Sequence, residues 1–86
     1  MSMLQVTPEE LRAVAARLTA ISEELGVQAG LAKAIIDGIN WTGSSHQEIV
    51  VQEVTNVLTT VAQAQTMLLE SSAGLSAYAT RIDEAR

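Results

Sequence analysis

The sequence has no cysteine and only one histidine, so neither a disulfide framework nor a cysteine–histidine metal site can form. Basic residues are scarce as well: there are five, against ten acidic residues, and the formal net charge is -5. They are spread along the chain as Arg12, Arg17, Lys33, Arg81 and Arg86. This distribution offers no basic patch for a nucleic acid backbone or an anionic membrane surface. We therefore expect no nucleic acid, metal, membrane or cofactor as a ligand.

Long hydrophobic runs are also missing, and no stretch approaches the roughly 20 apolar residues of a membrane span. The N-terminal residues MSMLQVTPEE lack the positive and apolar regions of a secretory signal peptide. A single domain of 86 residues is marginally stable without a disulfide, a metal or a partner. Because the first two are excluded, the composition predicts oligomerisation.

The first helix is predicted over about residues 7–40. Thr7 as N-cap, Pro8 at the first helical position and Glu10 at the third form a capping box. Apolar residues follow at heptad spacing, and the spacing continues across Gly26 and Gly30, which favours one helix over a break at Gly26. The predicted row contains Leu11, Val14, Leu18, Ile21, Leu25, Ala32, Ile35 and Ile39.

The second helix is predicted over about residues 45–84, after a turn at 41–44. Ser45 with Glu48, or Ser44 with Gln47, would form its capping box. Its heptad row contains Val50, Val54, Val57, Val61, Ala64, Leu68, Leu75, Tyr78 and Ile82. A turn this short makes the helices antiparallel neighbours. The fold class is therefore all-α, an antiparallel helix-turn-helix hairpin.

A single hairpin has more apolar surface than one interhelical seam can cover. A second ridge, which contains Val51, Leu58, Ala62 and Leu69, runs beside the main row of the second helix. Pairing of two hairpins into a dimeric four-helix bundle would cover it, whereas a loose monomer would expose it. The predicted hairpin and dimer interface consists of Leu11, Val14, Leu18, Ile21, Leu25, Ile35, Val54, Val57, Leu58, Val61, Leu68 and Leu69.

No group of residues has the pattern of a catalytic site. Ser44, Ser45 and His46 are adjacent, but a triad also needs an orienting acid and an oxyanion hole, which nothing in the sequence supplies. The neighbouring glutamates belong to solvated helix faces. We expect a protein that is not an enzyme.

Trp41-Thr42-Gly43 joins the two helices, and a W-x-G turn between two long helices in a chain of this length resembles the WXG100 family of ESAT-6-like proteins. The resemblance covers the whole chain. It implies a hairpin that pairs as a homodimer or heterodimer, and a substrate of the type VII (ESX-like) secretion system of Actinobacteria and Firmicutes. Such a protein is recognised by a membrane ATPase and is secreted without a cleaved signal peptide.

The family also implies a Y-x-x-x-D/E motif after the second helix, which forms a composite export signal with the W-x-G turn of the other chain. Here Tyr78 is followed by Ile82, and the acid, Asp83, comes one residue late. This departure favours a heterodimer with a WXG100-like partner that supplies the motif. A homodimer, with Tyr78 and Asp83 as a displaced motif, is the alternative.

Trp41 and Gly43 are then candidates for both a structural role at the turn and half of an export signal. Two other functions compete with secretion followed by partner binding. One is a cytoplasmic helical adaptor or chaperone-like module, for which the W-T-G tripeptide is a coincidence. The other is a membrane-active effector after export, which the lack of a basic helix face does not favour.

Overall fold

A computed structural model describes residues 6–85, and within this range the chain forms two helices and no strand. Helix α1 spans Pro8–Asp37 and helix α2 spans Gln47–Glu84. Arg12 contacts Asp83 and Ser22 contacts Gln65, so the helices run antiparallel. The predicted all-α hairpin is confirmed. Arg86 and residues 1–5, where the sequence shows no signal peptide pattern, lie outside the described residues.

The predicted capping box at the start of α1 is confirmed. The Thr7 hydroxyl accepts a hydrogen bond from the Glu10 backbone N–H at 3.1 Å, and the Glu10 carboxylate accepts one from the Thr7 backbone N–H at 2.9 Å. The bond from the Thr7 backbone, and then that from its side chain, lower the pKa of Glu10 below its ordinary value. The exposed carboxylate therefore supports the helix start to a lower pH than an ordinary glutamate would.

Helix α1 continues through Gly26 and Gly30 without a break, so the alternative of a break at Gly26 is wrong. It ends at Asp37, three residues before the predicted end. The Gly38 backbone N–H still donates to the carbonyl oxygens of Ala34 at 3.0 Å and Ile35 at 3.2 Å. The chain then leaves the helix and forms the connection to α2.

Helix α2 begins two residues later than predicted, and neither predicted capping box forms. His46 is its N-cap, and the His46 side chain makes no capping hydrogen bond. The Ser44 hydroxyl instead accepts a hydrogen bond from the His46 backbone N–H at 3.1 Å. The connection therefore contains residues 38–46, about twice the predicted turn.

The contact between the helices has small and polar residues at its most buried positions and larger apolar residues half-buried beside them, and we call it the inner contact. Its core positions recur every seven residues, and six of the eight follow a member of the predicted apolar rows by one residue. The members are Ala15, Ser22, Ala29 and Ile36 on α1, and Leu58, Gln65, Ser72 and Ala79 on α2. Half of each predicted row lies at this contact, since Leu11, Leu18, Leu25, Val54, Val61 and Leu68 are half-buried there. The alternate members, Val14, Ile21, Ile35, Val57 and Tyr78, are exposed.

Close approach of the two backbones explains this displacement. The Ser72 hydroxyl donates to the Ala15 carbonyl oxygen at 2.8 Å, and the Gln65 side-chain amide donates to the Ser22 carbonyl oxygen at 2.9 Å. A Cβ atom on Gly26 would lie 2.6 Å from the Gln65 Nε2 atom. Larger side chains would separate the helices and break these bonds. Within the described residues, every buried side-chain nitrogen and oxygen atom has a partner, as polar groups in a contact require.

Candidate functional site

Large apolar side chains that the inner contact does not use form a stripe along the hairpin. We define the exposed stripe as Val14, Ile21, Ile35, Val57 and Tyr78. Each precedes an inner-contact residue by one position, and each remains exposed. Ile35 is 68% exposed and Val57 is 59% exposed. Their separations are multiples of seven, 7 and 14 residues on α1 and 21 residues on α2, so each set lies along one side of its helix.

The two helical parts of the exposed stripe lie on the same side of the hairpin. Arg12 and Asp83 form an ion pair at 2.7 Å across the two helices, and each follows a buried residue, Pro8 or Ala79, by four positions. A position four residues after a contact residue and a position one residue before it are about 140° apart around the helix, at 100° per residue. They therefore lie on opposite sides of the contact. The ion pair therefore marks one side of the hairpin, and the exposed stripe occupies the other.

The hairpin as a whole exposes more surface than a compact monomer of its size. The chain has 6437 Å² of accessible surface, about a third more than the roughly 4,900 Å² expected for a compact monomer of this mass. Its radius of gyration is 19.6 Å, against about 12 Å for a compact domain of this length. The excess is comparable to the area that one partner contributes to a large stable interface.

Charged residues border the exposed stripe on its outer edge. Arg17, Glu24 and Arg81 each follow a residue of the exposed stripe by three positions, and Glu53 lies four heptads before Arg81 on the same side of α2; we call these four residues the charged rim. All four are exposed. The Arg81 guanidinium carbon lies 5.6 Å from the centre of the Tyr78 ring, a cation–π contact that holds the arginine over the stripe. The apolar stripe with a polar rim has the anatomy of a protein interface.

The connection between the helices places Trp41 and Gly43 in one turn. The Ser44 backbone N–H donates to the Trp41 carbonyl oxygen at 2.9 Å, and Gly43 has a φ of 81°. This hydrogen bond and the positive φ at the third residue define a type II β-turn, which strongly favours glycine there. The Asn40 side-chain oxygen accepts a hydrogen bond from the Thr42 N–H at 2.9 Å. Trp41 is half-buried at this end of the hairpin.

Tyr78 and Asp83 are not brought together. Five residues on a helix correspond to about 140° of rotation, and the two side chains lie on opposite flanks of the inner contact. Asp83 is engaged with Arg12, whereas Tyr78 belongs to the exposed stripe. In the single chain, these residues therefore form no joint site.

The predicted interface residues divide between the inner contact and the surface. Seven are half-buried along the contact between α1 and α2: Leu11, Leu18, Leu25, Val54, Leu58, Val61 and Leu68. Val14, Ile21, Ile35 and Val57 belong to the exposed stripe. Leu69 is exposed on the flank that carries the Arg12–Asp83 ion pair, because it precedes Asp83 by two heptads.

Other sites are not apparent in the part of the chain that the structure describes. Residues 6–85 contain no group of three or more His, Asp or Glu side chains placed to hold a metal ion. Neither α1 nor α2 has a long enough apolar segment to cross a membrane. Ser44 and His46 are exposed, and the bond between them is the one that the His46 backbone N–H donates to the Ser44 hydroxyl before α2.

No protein-family model matches the sequence, and comparisons with curated proteins and with solved structures give no match either. The similarity to the WXG100 family therefore stays a prediction. It rests on the W-x-G turn, the two long helices and their hairpin arrangement.

The charged rim and the separation of the stripe from the inner contact were not predicted from the sequence. A signal for the inner contact was present in the small residues Ala15, Ser22 and Ala29 on α1, and Ser72 and Ala79 on α2, each set at seven-residue spacing. Small residues at this spacing allow close helix approach, but they are less conspicuous than the neighbouring Val and Ile residues.

Proposed function

We propose that the chain is a non-enzymatic interaction protein whose exposed stripe binds a second, WXG100-like helical hairpin to complete a four-helix bundle. The proposal assigns it to the substrates of a type VII (ESX-like) secretion system, recognised by the secretion ATPase and released without cleavage of a signal peptide. Trp41 and Gly43 supply the turn that the ATPase or its adaptor site recognises.

One observation carries the proposal: the W-T-G turn lies at one end of a long hairpin that leaves one apolar side uncovered. A type II turn fixes the backbone that follows Trp41 by a hydrogen bond and a required glycine. A partly accessible Trp on a rigid turn can act as an anchor in a partner's pocket. The exposed stripe lies within the two helices and does not include the turn, which leaves this end available while the partner hairpin is bound.

The test is export from a bacterium with a type VII system, with the tagged chain measured in cells and in culture supernatant. We expect the unprocessed protein in the supernatant, and its loss when the secretion ATPase is deleted. Trp41→Ala should reduce export at least about tenfold while helix content is retained, since truncating an anchor residue typically costs at least 2 kcal/mol.

Ile39→Ala is the matched control, because Ile39 is an exposed apolar residue of the same connection outside the W-x-G turn. Its export should stay within about twofold of the unchanged chain. Retention of the unchanged protein in cells would support the cytoplasmic adaptor instead. Equal export of the Trp41→Ala variant would remove the signal role of Trp41.

A further inference from the structure

We infer that the occupant of the exposed stripe is a second copy of this chain, packed antiparallel, with Arg17 facing Glu24 and Arg81 facing Glu53 of the other copy. The inference rests on the proposed function only for the claim that the stripe binds a helical hairpin. It identifies the partner and the register of binding. The displaced acid after Tyr78 would by itself favour a different chain as the partner.

The charged rim of α2 is complementary in charge to the rim of a second α2 that runs in the opposite direction. At seven-residue spacing it reads Glu53, Thr60, Met67, Gly74 and Arg81. Reversal about Met67 brings Glu53 to Arg81 and Thr60 to Gly74. A second α2 that runs antiparallel beside the first therefore places opposite charges together at both ends and a flexible Met in the middle.

The charged rim of α1 has the same property. Arg17 and Glu24 exchange places when α1 is reversed about the point between Ala20 and Ile21. Each arginine then faces a glutamate of the second copy. A parallel second copy, related by a two-fold axis along the hairpin, would instead place α1 against α2 of the other copy, so that Arg17 and Glu24 would not face each other.

The register of the hairpin makes these two reversals a single symmetry operation. Residues in contact across the helices, Ser22 with Gln65 and Ala15 with Ser72, have numbers that add to 87. The α1 rim pair is centred between residues 20 and 21, and the α2 rim pair is centred on Met67. These residue numbers also add to about 87, so the two centres lie at the same point along the hairpin axis. One two-fold axis across the hairpin satisfies all four ion pairs, as closed dimers require.

The rim charges are available for this purpose. The two ion pairs within residues 6–85 join Arg12 to Asp83 and Lys33 to Asp37, and neither uses a rim residue. The same axis places Ile21 beside Ile21 of the second copy. The centre of the interface is thereby apolar, and the charges lie on its edge, where they select orientation and partner.

Two charge-reversal variants test the register through mixing. Arg17→Glu gives a chain with two acidic α1 rim positions, and Glu24→Arg gives a chain with two basic ones. Positions 17 and 24 are seven residues apart on one helix, beyond the three- and four-residue spacing at which helical side chains interact. We expect each variant alone to dimerise about tenfold more weakly than the unchanged chain at low ionic strength.

The equimolar mixture should recover dimerisation to within about twofold of the unchanged chain, since every altered residue then faces an opposite charge. The double variant Arg17→Glu with Glu24→Arg should recover it in the same way. Sedimentation equilibrium gives the dissociation constants, and circular dichroism checks that each chain stays helical. The losses should shrink in about 1 M NaCl, where the screening length falls to about 3 Å.

Glu23→Arg is the control, because it makes the same charge change as Glu24→Arg one residue away and outside the rim. Its dissociation constant should stay within about twofold. An unchanged chain that is monomeric at about 100 µM would overturn the second-copy inference, and a dimer whose mixture gains nothing would overturn the register. Neither result bears on export, which the supernatant experiment tests separately.

Discussion

The inner contact and the exposed stripe lie one residue apart along α1, yet their compositions are opposite. Ala15 and Ser22 face α2 and are 3% and 2% exposed, whereas Val14 and Ile21, which precede them, are 49% and 45% exposed. At these neighbouring positions the helix directs the smaller residue to the partner helix within the chain, where Leu11, Leu18 and Leu25 are half-buried beside it. The larger side chains, which gain most free energy from burial, are left for a surface that the single chain does not cover.

This difference separates two tasks that one hydrophobic core usually performs together. Small residues and hydrogen bonds set the register of the hairpin, because Gln65 and Ser72 each bond to a specific carbonyl oxygen on α1. The exposed stripe supplies the apolar area that stabilises the folded form once a partner is bound. A hairpin built in this way has a defined shape alone but gains much of its stability from association.

The largest expected effect comes from a charged substitution at the centre of the exposed stripe. Ile21→Glu would place a carboxylate where burial of each Ile side chain contributes about 1.5–3 kcal/mol, and the change occurs twice in a symmetric dimer. We expect the dissociation constant for self-association to rise at least about 100-fold, measured by sedimentation equilibrium.

Val27→Glu is the matched control for this variant. Val27 is 57% exposed and lies on the outer side of α1. It belongs to neither the exposed stripe nor the inner contact. Its dissociation constant should change less than about threefold. Equal losses for the two variants would show that general surface hydrophobicity, and not the exposed stripe, drives association.

A smaller effect is expected when the two neighbouring positions receive the same larger side chain. Ala15→Leu would push the helices apart and strain the hydrogen bond from Ser72 to the residue 15 carbonyl oxygen, which costs about 1–3 kcal/mol of unfolding free energy. Val14→Leu changes a residue that is already exposed and should stay within about 0.5 kcal/mol. Urea unfolding of both variants, at a concentration where association is equal, measures the difference. A reversed order would contradict the assignment of the inner contact.

The helix start, the hairpin and the continuous α1 could be predicted because their signals are local or periodic. Thr7 and Glu10 satisfy each other within one turn, and the heptad spacing persists through Gly26. The choice between two rows one residue apart could not be made from hydrophobicity, because Val14 and Ile21 outrank Ala15 and Ser22 on any such scale. That choice depends on how closely two backbones approach, which is a tertiary property.

The candidate site was predictable to a similar extent. W-T-G identified a turn with a glycine requirement, and the structure gives Gly43 the positive φ that explains it. The start of α2 was not predictable from Ser44 or Ser45, since the Ser44 hydroxyl bonds to the His46 backbone within the connection. Local Ser side chains can satisfy either a loop or a helix end, and the sequence does not distinguish these uses.

The smallest expected effect compares two glycines of α1 that differ only in what lies beside them. Replacement of a helical Gly by Ala gains about 1 kcal/mol when space is available. A Cβ atom on Gly30 would have no neighbouring atom within 4 Å, whereas a Cβ atom on Gly26 would lie 2.6 Å from the Gln65 Nε2 atom. Gln65 can rotate, but it then loses its hydrogen bond to the Ser22 carbonyl oxygen, a loss of about 0.5–1.5 kcal/mol.

We therefore expect Gly30→Ala to raise the free energy of unfolding by about 1 kcal/mol, and Gly26→Ala to leave it nearly unchanged. In a Gln65→Ala background, Gly26→Ala should raise the free energy of unfolding by about 1 kcal/mol, because the obstructing side chain and its hydrogen bond are absent before and after the change. Chemical unfolding of the unchanged chain, the Gly30→Ala, Gly26→Ala and Gln65→Ala variants, and the double variant gives the comparison. If Gly26→Ala stabilises as much as Gly30→Ala, the Gln65 hydrogen bond contributes nothing to the inner contact, and small residues alone set the approach of the helices.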